Sequence, residues 1–263
     1  MPTTASCRPD PRGIGLRLPL LELDGSEQMA LDAWLLDQCV QGSLGSPILR
    51  FYTWPGAWLS LGHHQKAQPS QWEQQALAGA LQRVRRPSGG GAVLHAAGLT
   101  YALIWPQAPR ARREAYQRTS RWLINGFTRL GVHLQPGQSG ASAEVTNCFA
   151  SSTAADLVDD QGHKRIGSAQ FWRRGHLLQH GEIMLSPPVS LWRSLFESSP
   201  PPPIERLQAD AIIGALTASL QSLWPDCSWQ DFNLNQEQWQ QVQSQSAAYR
   251  LSPTGSSSNN PEA

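Results

Sequence analysis

The chain has 263 residues and a mass of 28.9 kDa, enough for one sizeable core but too short for two full-sized domains. Its 21 basic and 20 acidic residues nearly cancel, which argues against general binding to nucleic acid or to an acidic membrane surface. Cys7, Cys39, Cys148 and Cys227 are scattered, with no CxxC pair and no zinc-type His spacing, so they read as reduced thiols and no metal site is expected.

The opening MPTTASCRPDPRG lacks the hydrophobic middle of a secretory leader, and no apolar run approaches the roughly 18 residues of a membrane span; a soluble, cytoplasmic protein is expected. Residues 1–17 are expected to form a flexible tail, 18–248 one folded domain and 249–263 a disordered Ser/Pro/Asn tail. Within 26–40, Met29, Ala33, Leu36 and Val40 recur at helical spacing behind a Ser cap, which predicts a first helix. β-like runs at 48–54 and 57–61, broken by Pro55-Gly56, predict paired strands. A second helix over 72–81 leads through 82–86 into a glycine run, and strands over 92–95 and 99–105 flank Gly98. Residues 111–130 return to a helical period, with Tyr116, Leu123, Ile124 and Phe127 able to share a face. Strands are expected at 156–158, 165–171 and 177–185, then a proline spacer at 200–203 and a helix over 204–223. Strands and helices mix without a βαβ rhythm, so the fold class is α+β rather than a doubly wound parallel sheet.

The densest chemical signal is Arg85-Arg86-Pro87-Ser88-Gly89-Gly90-Gly91-Ala92-Val93-Leu94-His95. Three glycines let main-chain amides turn toward a ligand at close range, and adjacent arginines supply charge for a phosphate, adenylate or carboxylate. No GK[ST] follows and no GxGxxG spacing is present, so this is neither a Walker loop nor a dinucleotide fingerprint; a bare glycine run is equally compatible with a flexible hairpin. A second cluster is His163-Lys164-Arg165-Ile166-Gly167-Ser168-Ala169-Gln170, whose small residues would let a bound chain lie against a strand while Lys164 reaches a carbonyl or phosphate oxygen; taken alone, Lys164 reads more readily as a solvated turn residue. His180-Gly181 stands within a third strand, where a lone His is usually a hydrogen-bonded structural group. Cys148 lies in a polar stretch of small residues, Thr146 to Ser152, where a thiol is reachable; as a nucleophile it needs a cationic neighbour such as Lys164, and otherwise it is an inert thiol.

Taken together, RRPSGGGAVLH, then LTYALIW, NCF, KRIGSAQ and LLQHGEIML, in this order and spacing, resemble the lipoate-protein ligase A and octanoyltransferase family, with MALDAWLL and RFYTWPGAWLSLGHHQ joining the match. The resemblance implies that 18–248 is a biotin/lipoate protein ligase-like catalytic domain, a mixed-sheet α+β fold of the class II synthetase-like kind with a tunnel for an eight-carbon acyl chain. It further implies Cys148 and Lys164 as catalytic residues. Substrate contacts would come from Arg85, Ser88, Gly89, Gly90, Gly91, Ala92, Val93, His95, Gly167, Ser168, Ala169, His180 and Gly181.

Cys148-Phe149 ahead of the Lys164 block resembles the cysteine octanoyltransferases, in which that cysteine forms an acyl thioester and the lysine contacts the acyl carbonyl. The short stretch after Leu185 points the same way, since larger bacterial ligases append an accessory domain there, although single-domain ligases exist. The implied reaction moves an octanoyl group from octanoyl-acyl carrier protein to a lysine of a lipoyl-domain protein or glycine-cleavage H protein. It requires no cofactor, no nucleic acid and no membrane. The alternatives are an ATP- and Mg-using lipoate-protein ligase and a non-catalytic lipoyl-domain binding relative. Two places depart from the family pattern: Ala96-Ala97 follows His95 where an acidic residue is usual, and Ala150-Ser151-Ser152-Thr153 replaces Asp-x-Pro-Ser after Phe149.

Overall fold

The structure is a computed structural model describing residues 13–66, 68–137, 155–204 and 207–252. In chain order, strands β1 (Ile14–Arg17) and β2 (Leu21–Glu22) precede helix α1 (Gly25–Gln41), followed by β3 (Ile48–Thr53) and β4 (Trp58–Leu61). Helix α2 (Ser70–Leu77) leads to β5 (Gln82–Arg85), β6 (Val93–His95), β7 (Leu99–Trp105) and the long α3 (Arg112–Arg129). Next come β8 (Leu134–Pro136), β9 (Leu157–Asp159), β10 (Lys164–Arg173) and β11 (His176–Ile183). The chain closes with α4 (Val189–Phe196), α5 (Ala209–Ser219), β12 (Ser228–Asp231) and α6 (Gln236–Ser246).

Among the described residues, a mixed sheet of nine strands runs β12-β1-β3-β7-β11-β10-β9-β8, with β2 beside β3, and a three-stranded sheet runs β5-β4-β6. From β3 through β8 every neighbour is antiparallel; the β12-β1-β3 end is parallel.

The large sheet is buried on both faces, and its period of two sorts the side chains. Leu49 and Phe51 of β3, Tyr101, Leu103 and Trp105 of β7 and Leu177 of β11 face α3 and α5, where Trp122, Leu123, Phe127 and Leu216 complete one core. Ile48, Tyr52, Ala102, Ile104 and Leu178 point the other way, onto Met29, Trp34 and Leu35 of α1. Helix α1 starts on the side chain of Asp24, which accepts from the Ser26 amide at 2.9 Å, and ends at Gly42, whose φ of 81° closes the last turn.

The predicted boundaries move in several places. Residues 14–17, expected in the N-terminal tail, pair as β1 between β3 and β12. The expected C-terminal tail is likewise docked up to Ser252: the Leu251 amide donates to Arg83 O at 3.1 Å and Arg250 pairs with Asp24 at 2.5 Å. The helix expected over 204–223 is shorter, α5 followed by a 3-10 turn at Leu220–Ser222. The pattern reading passed over α6 because its glutamine-rich sequence buries Val242 alone; a capping box between Asn235 and Gln238 starts it. Strands β8 and β12 and helix α4 also went unpredicted, being too short or too exposed to show a period.

Candidate active site

The glycine run is a loop held from beneath. Arg86, 5% exposed, donates to Ser60 O at 2.8 Å and to the carbonyls of Gly89 and Gly91, each at 2.7 Å. In a trans peptide the N–H points opposite to the preceding C=O, so drawing these two carbonyls to the guanidinium turns the amides of Gly90 and Ala92 away from it. Gly90 has φ of 95° and is exposed, while Ser88 and Ala92 on either side are buried. The loop lies against Gly62, where a β-carbon would sit 1.9 Å from Gly90 O, and the His63 amide donates to Ser88 O at 2.8 Å. Arg85 staples the neighbouring turn, donating to Gly62 O at 2.8 Å and Gln65 O at 2.9 Å.

Two buried relays fix the loop and its flanks to the large sheet. In the first, the Ser88 hydroxyl lies 2.6 Å from His180 Nε2, and His180 Nδ1 lies 2.8 Å from Asp32 Oδ2. The second carboxylate oxygen of Asp32 accepts from Arg50 at 2.9 Å, and the Tyr52 hydroxyl donates to Oδ2 at 3.0 Å. Asp32 and Arg50 are fully buried, so their charges are compensated inside the protein. Burial, reinforced by the Asp32 charge, raises the Tyr52 phenol well above its usual range and keeps it a donor. The connectivity Ser88–His180–Asp32 is that of a hydrolase triad, yet Ser88 has no exposed surface. Its hydroxyl is thus an anchor for the loop.

In the second relay, His95 Nε2 lies 2.8 Å from the Ser60 hydroxyl and His95 Nδ1 lies 2.7 Å from Glu182 Oε2, which also accepts from Thr100 at 2.5 Å. Trp54 stacks on the His95 ring at 4.0 Å and donates to Thr100 at 2.7 Å. Burial lowers the His95 pKa and prevails over the upward pull of Glu182. A neutral ring therefore donates from Nδ1 and accepts at Nε2.

As pH falls through about 6.5 the unfolded chain protonates this histidine before the folded chain does, so stability declines. His176, also lowered by burial, adds to the effect. Urea melts between pH 8 and 5 should show the loss, and His95→Gln and His176→Gln should each flatten the slope relative to the unmodified chain; an unchanged slope in both would refute this origin.

Strands β10 and β11 place the other two sequence blocks side by side, with Gly167 opposite Glu182, Ser168 opposite Gly181 and Ala169 opposite His180. At Gly181 a β-carbon would meet Gly167 O at 2.6 Å and the Tyr101 ring at 2.7 Å, so only glycine lets the strands and the ring close up. The Tyr101 hydroxyl lies 2.8 Å from Ser168 Oγ and accepts from Gln179 at 2.9 Å; burial raises its pKa to about 12. Residues 168–170 are only half-buried, in contrast to 164–167. Lys164 is buried at the head of β10 with its ammonium 3.0 Å from Asp156.

Cys148 lies outside the described residues, as do Phe149 and the departing residues 150–153. Of the chain on either side, Gly137 N donates to Asp156 O at 2.9 Å, and that same Asp156 is the ion partner of Lys164. Cys39 is buried, with its thiol pushed up to about 12.

The fold thus gathers Ser88, His95, Gly167, Ser168, Ala169, His180 and Gly181 about the two relays, with Gly89, Gly90 and Gly91 on the loop they hold. Arg85 is turned toward backbone carbonyls of the 62–65 turn, and Val93 pairs with Ser60 in the small sheet. Sequence reasoning missed Asp32, Arg50, Tyr52, Ser60, Gly62 and Glu182. A carboxylate on the apolar face of α1, and an arginine inside a strand flanked by Ile48, Leu49 and Phe51, were the available signals.

This mixed sheet with its anchored glycine loop is an α+β fold of the kind seen in solved lipoate-protein ligases. A lipoate-protein ligase A bound with ATP superposes with a TM-score of 0.70 at 18% identity, covering 89% of this chain and 95% of that one. A bi-partite lipoate protein ligase from Thermoplasma acidophilum gives 0.68 at 18%, covering 89% and 92%. The chain belongs to the lipoyl protein ligase A/B catalytic domain family, which its residues 24–233 match. Among curated relatives, octanoyltransferase LipM of Geobacillus kaustophilus is 36% identical over 194 residues, 69% of each chain. The LipM of Carboxydothermus hydrogenoformans is 37% identical over 166 residues. The match spans only 61% of that relative's length and 61% of this chain.

Among the described residues no helix is long and apolar enough to cross a membrane, and no group of three or more His, Cys, Asp or Glu side chains is placed to hold a metal ion.

Proposed function

We propose that the protein is an octanoyltransferase that carries the acyl group on Cys148. The observation that carries this reading is the likeness to several octanoyltransferases named LipM, together with a Cys-Phe pair upstream of the Lys164 block. In the first step the Cys148 thiolate attacks the carbonyl of octanoyl-acyl carrier protein; a new C–S bond forms and the carrier leaves as its thiolate. In the second, the amine of a lysine on a lipoyl-domain or glycine-cleavage H protein attacks the Cys148 thioester. The amide forms, the amine gives up a proton and the Cys148 thiolate is released. Both steps exchange an already activated acyl group, so ATP has no role.

Lys164 and the amide of Gly90, on the exposed part of the loop, are the donors for the oxyanion that develops at each carbonyl. The small side chain of Ala169, beside His180 on the face of the sheet that carries the glycine loop, receives the alkyl chain. The Cys148-Phe149 pair upstream of the Lys164 block, in a chain similar to octanoyltransferases named LipM, supports a thiol working with that ammonium.

Incubating the full chain with octanoyl-acyl carrier protein should give an octanoyl adduct by intact mass, removed by hydroxylamine, without ATP. A protein that stays unmodified and acylates its acceptor only with ATP and free acid would instead be a ligase, the reading favoured by the structural likeness to a ligase bound with ATP.

A further inference from the structure

The near-zero net charge hides a one-sided distribution. Arg110, Arg112, Arg113, Arg118, Arg121 and Arg129 fall within twenty residues that contain no lysine and one acid, Glu114. With 21 basic and 20 acidic residues in all, the rest of the chain is left with 15 against 19. The excess positive charge is therefore concentrated on α3.

Arg118 has a structural role, stacked 4.6 Å over Trp105 and donating to Leu223 O at 3.2 Å, and Arg129 suits the last turn of α3, but the remaining four answer to no such need. The buried face of α3 is Ala115, Thr119, Trp122, Gly126 and Phe127, which leaves Arg113, Gln117 and Arg121 as the outward stripe. Arg110, Arg112, Arg113 and Arg121 are exposed and make no ion pair among the described residues; Arg118 alone lies near Glu114, at 3.8 Å. Three of these charges stand at the start of α3, where the helix dipole is already positive and Ala111 provides no side-chain cap. The hairpin between β10 and β11 adds the exposed Arg174 at the same end, since Gly175 O accepts from the Ala108 amide at 3.0 Å. Capping or acidic residues would serve the start of α3 better.

We infer that the arginine face of α3 docks the acidic face of a protein, and that this partner is the one that delivers the acyl chain. Helix α3 packs on the strand pair that carries the alkyl-lining Ala169: Thr119 donates to Gln179 at 2.9 Å, and Gln179 also accepts from Gln170 at 2.7 Å, beside Ser168. A carrier seated on α3 thus sits across one helix layer from β10, the strand whose Ala169 faces the cargo from the far side of the sheet. A compact acidic face meets only the patch, whereas an extended polyanion would also meet the net negative remainder of the chain. The identity of the cargo rests on the function proposed above; the docking surface itself does not.

The test is direct binding of octanoyl-acyl carrier protein to the full chain, with a lipoyl-domain protein and a DNA duplex as comparison probes. Affinity for the carrier should fall at least about tenfold between 50 and 300 mM salt. The triple variant Arg110→Glu/Arg113→Glu/Arg121→Glu should weaken carrier binding by roughly 10- to 100-fold, while acylation of the enzyme by the small donor octanoyl-pantetheine keeps its rate. Unchanged carrier binding by the triple variant overturns the inference, as does a loss confined to the lipoyl domain or to DNA. Should carrier binding depend on the arginines while no acyl-enzyme forms from any donor, the docking surface stands and the cysteine mechanism falls.

Discussion

Cys148→Ser is expected to abolish the octanoyl adduct and nearly all transfer to the acceptor. Sulfur is required because a thiolate is available near neutral pH, whereas a serine hydroxyl would need a dedicated general base to approach the same reactivity. Without the covalent waystation, the acceptor lysine would have to attack the carrier-bound thioester directly. It would need to be deprotonated and aligned with the carbonyl while two proteins occupy one site, and the loss of such positioning is worth several orders of magnitude. Single-turnover loading followed by acceptor addition reads both steps; a Cys148→Ser protein that transfers at the wild-type rate refutes the covalent mechanism.

Lys164→Ala should slow loading by roughly 100- to 1000-fold, the usual consequence of losing one donor to a developing oxyanion, without eliminating the adduct. The geometry adds a second consequence. Lys164 is buried against Asp156, and removing one member of a buried ion pair commonly destabilises a protein by about 3–5 kcal/mol. A domain with a stability of about 5–15 kcal/mol tolerates that loss, so a folded but less stable enzyme is expected. Adding Asp156→Asn removes the unbalanced carboxylate and should recover part of the stability while leaving the rate low. If the double variant recovers both, Lys164 acts only through folding. In an ATP-using ligase the order of the two primary variants reverses: Lys164 is indispensable and Cys148 is not.

Much of the fold was open to sequence reading wherever a face repeats. Met29, Ala33 and Leu36 mark α1, because a helix that buries a face must repeat at 3.6, and Leu99 to Trp105 mark the central strand β7, because a strand buried on both faces is a nearly continuous apolar run. Strand β12 escaped because an exposed edge strand carries little apolar pattern, β1 because four largely half-buried residues are too few to show a period, and α6 because one buried valine does not make a period. Tyr249 to Ser252 reads as tail by composition, and its order comes from Arg83 and Asp24, far away in sequence.

The sequence blocks alone determined the family, since their residue types, order and separations survive without any knowledge of contacts. They also singled out the glycine run, Cys148, Lys164 and His180. Tertiary structure decided what these residues do for one another. Asp32 stands in a helix, Arg50 and His180 in non-adjacent strands and Ser88 in a loop; read locally, each is an ordinary polar residue. The register of the sheet and the packing of α1 on it bring the four together without solvent, where every charge and hydroxyl must find a protein partner. That requirement turns four unremarkable side chains into the support of the glycine loop, and it arises only when the chain is folded.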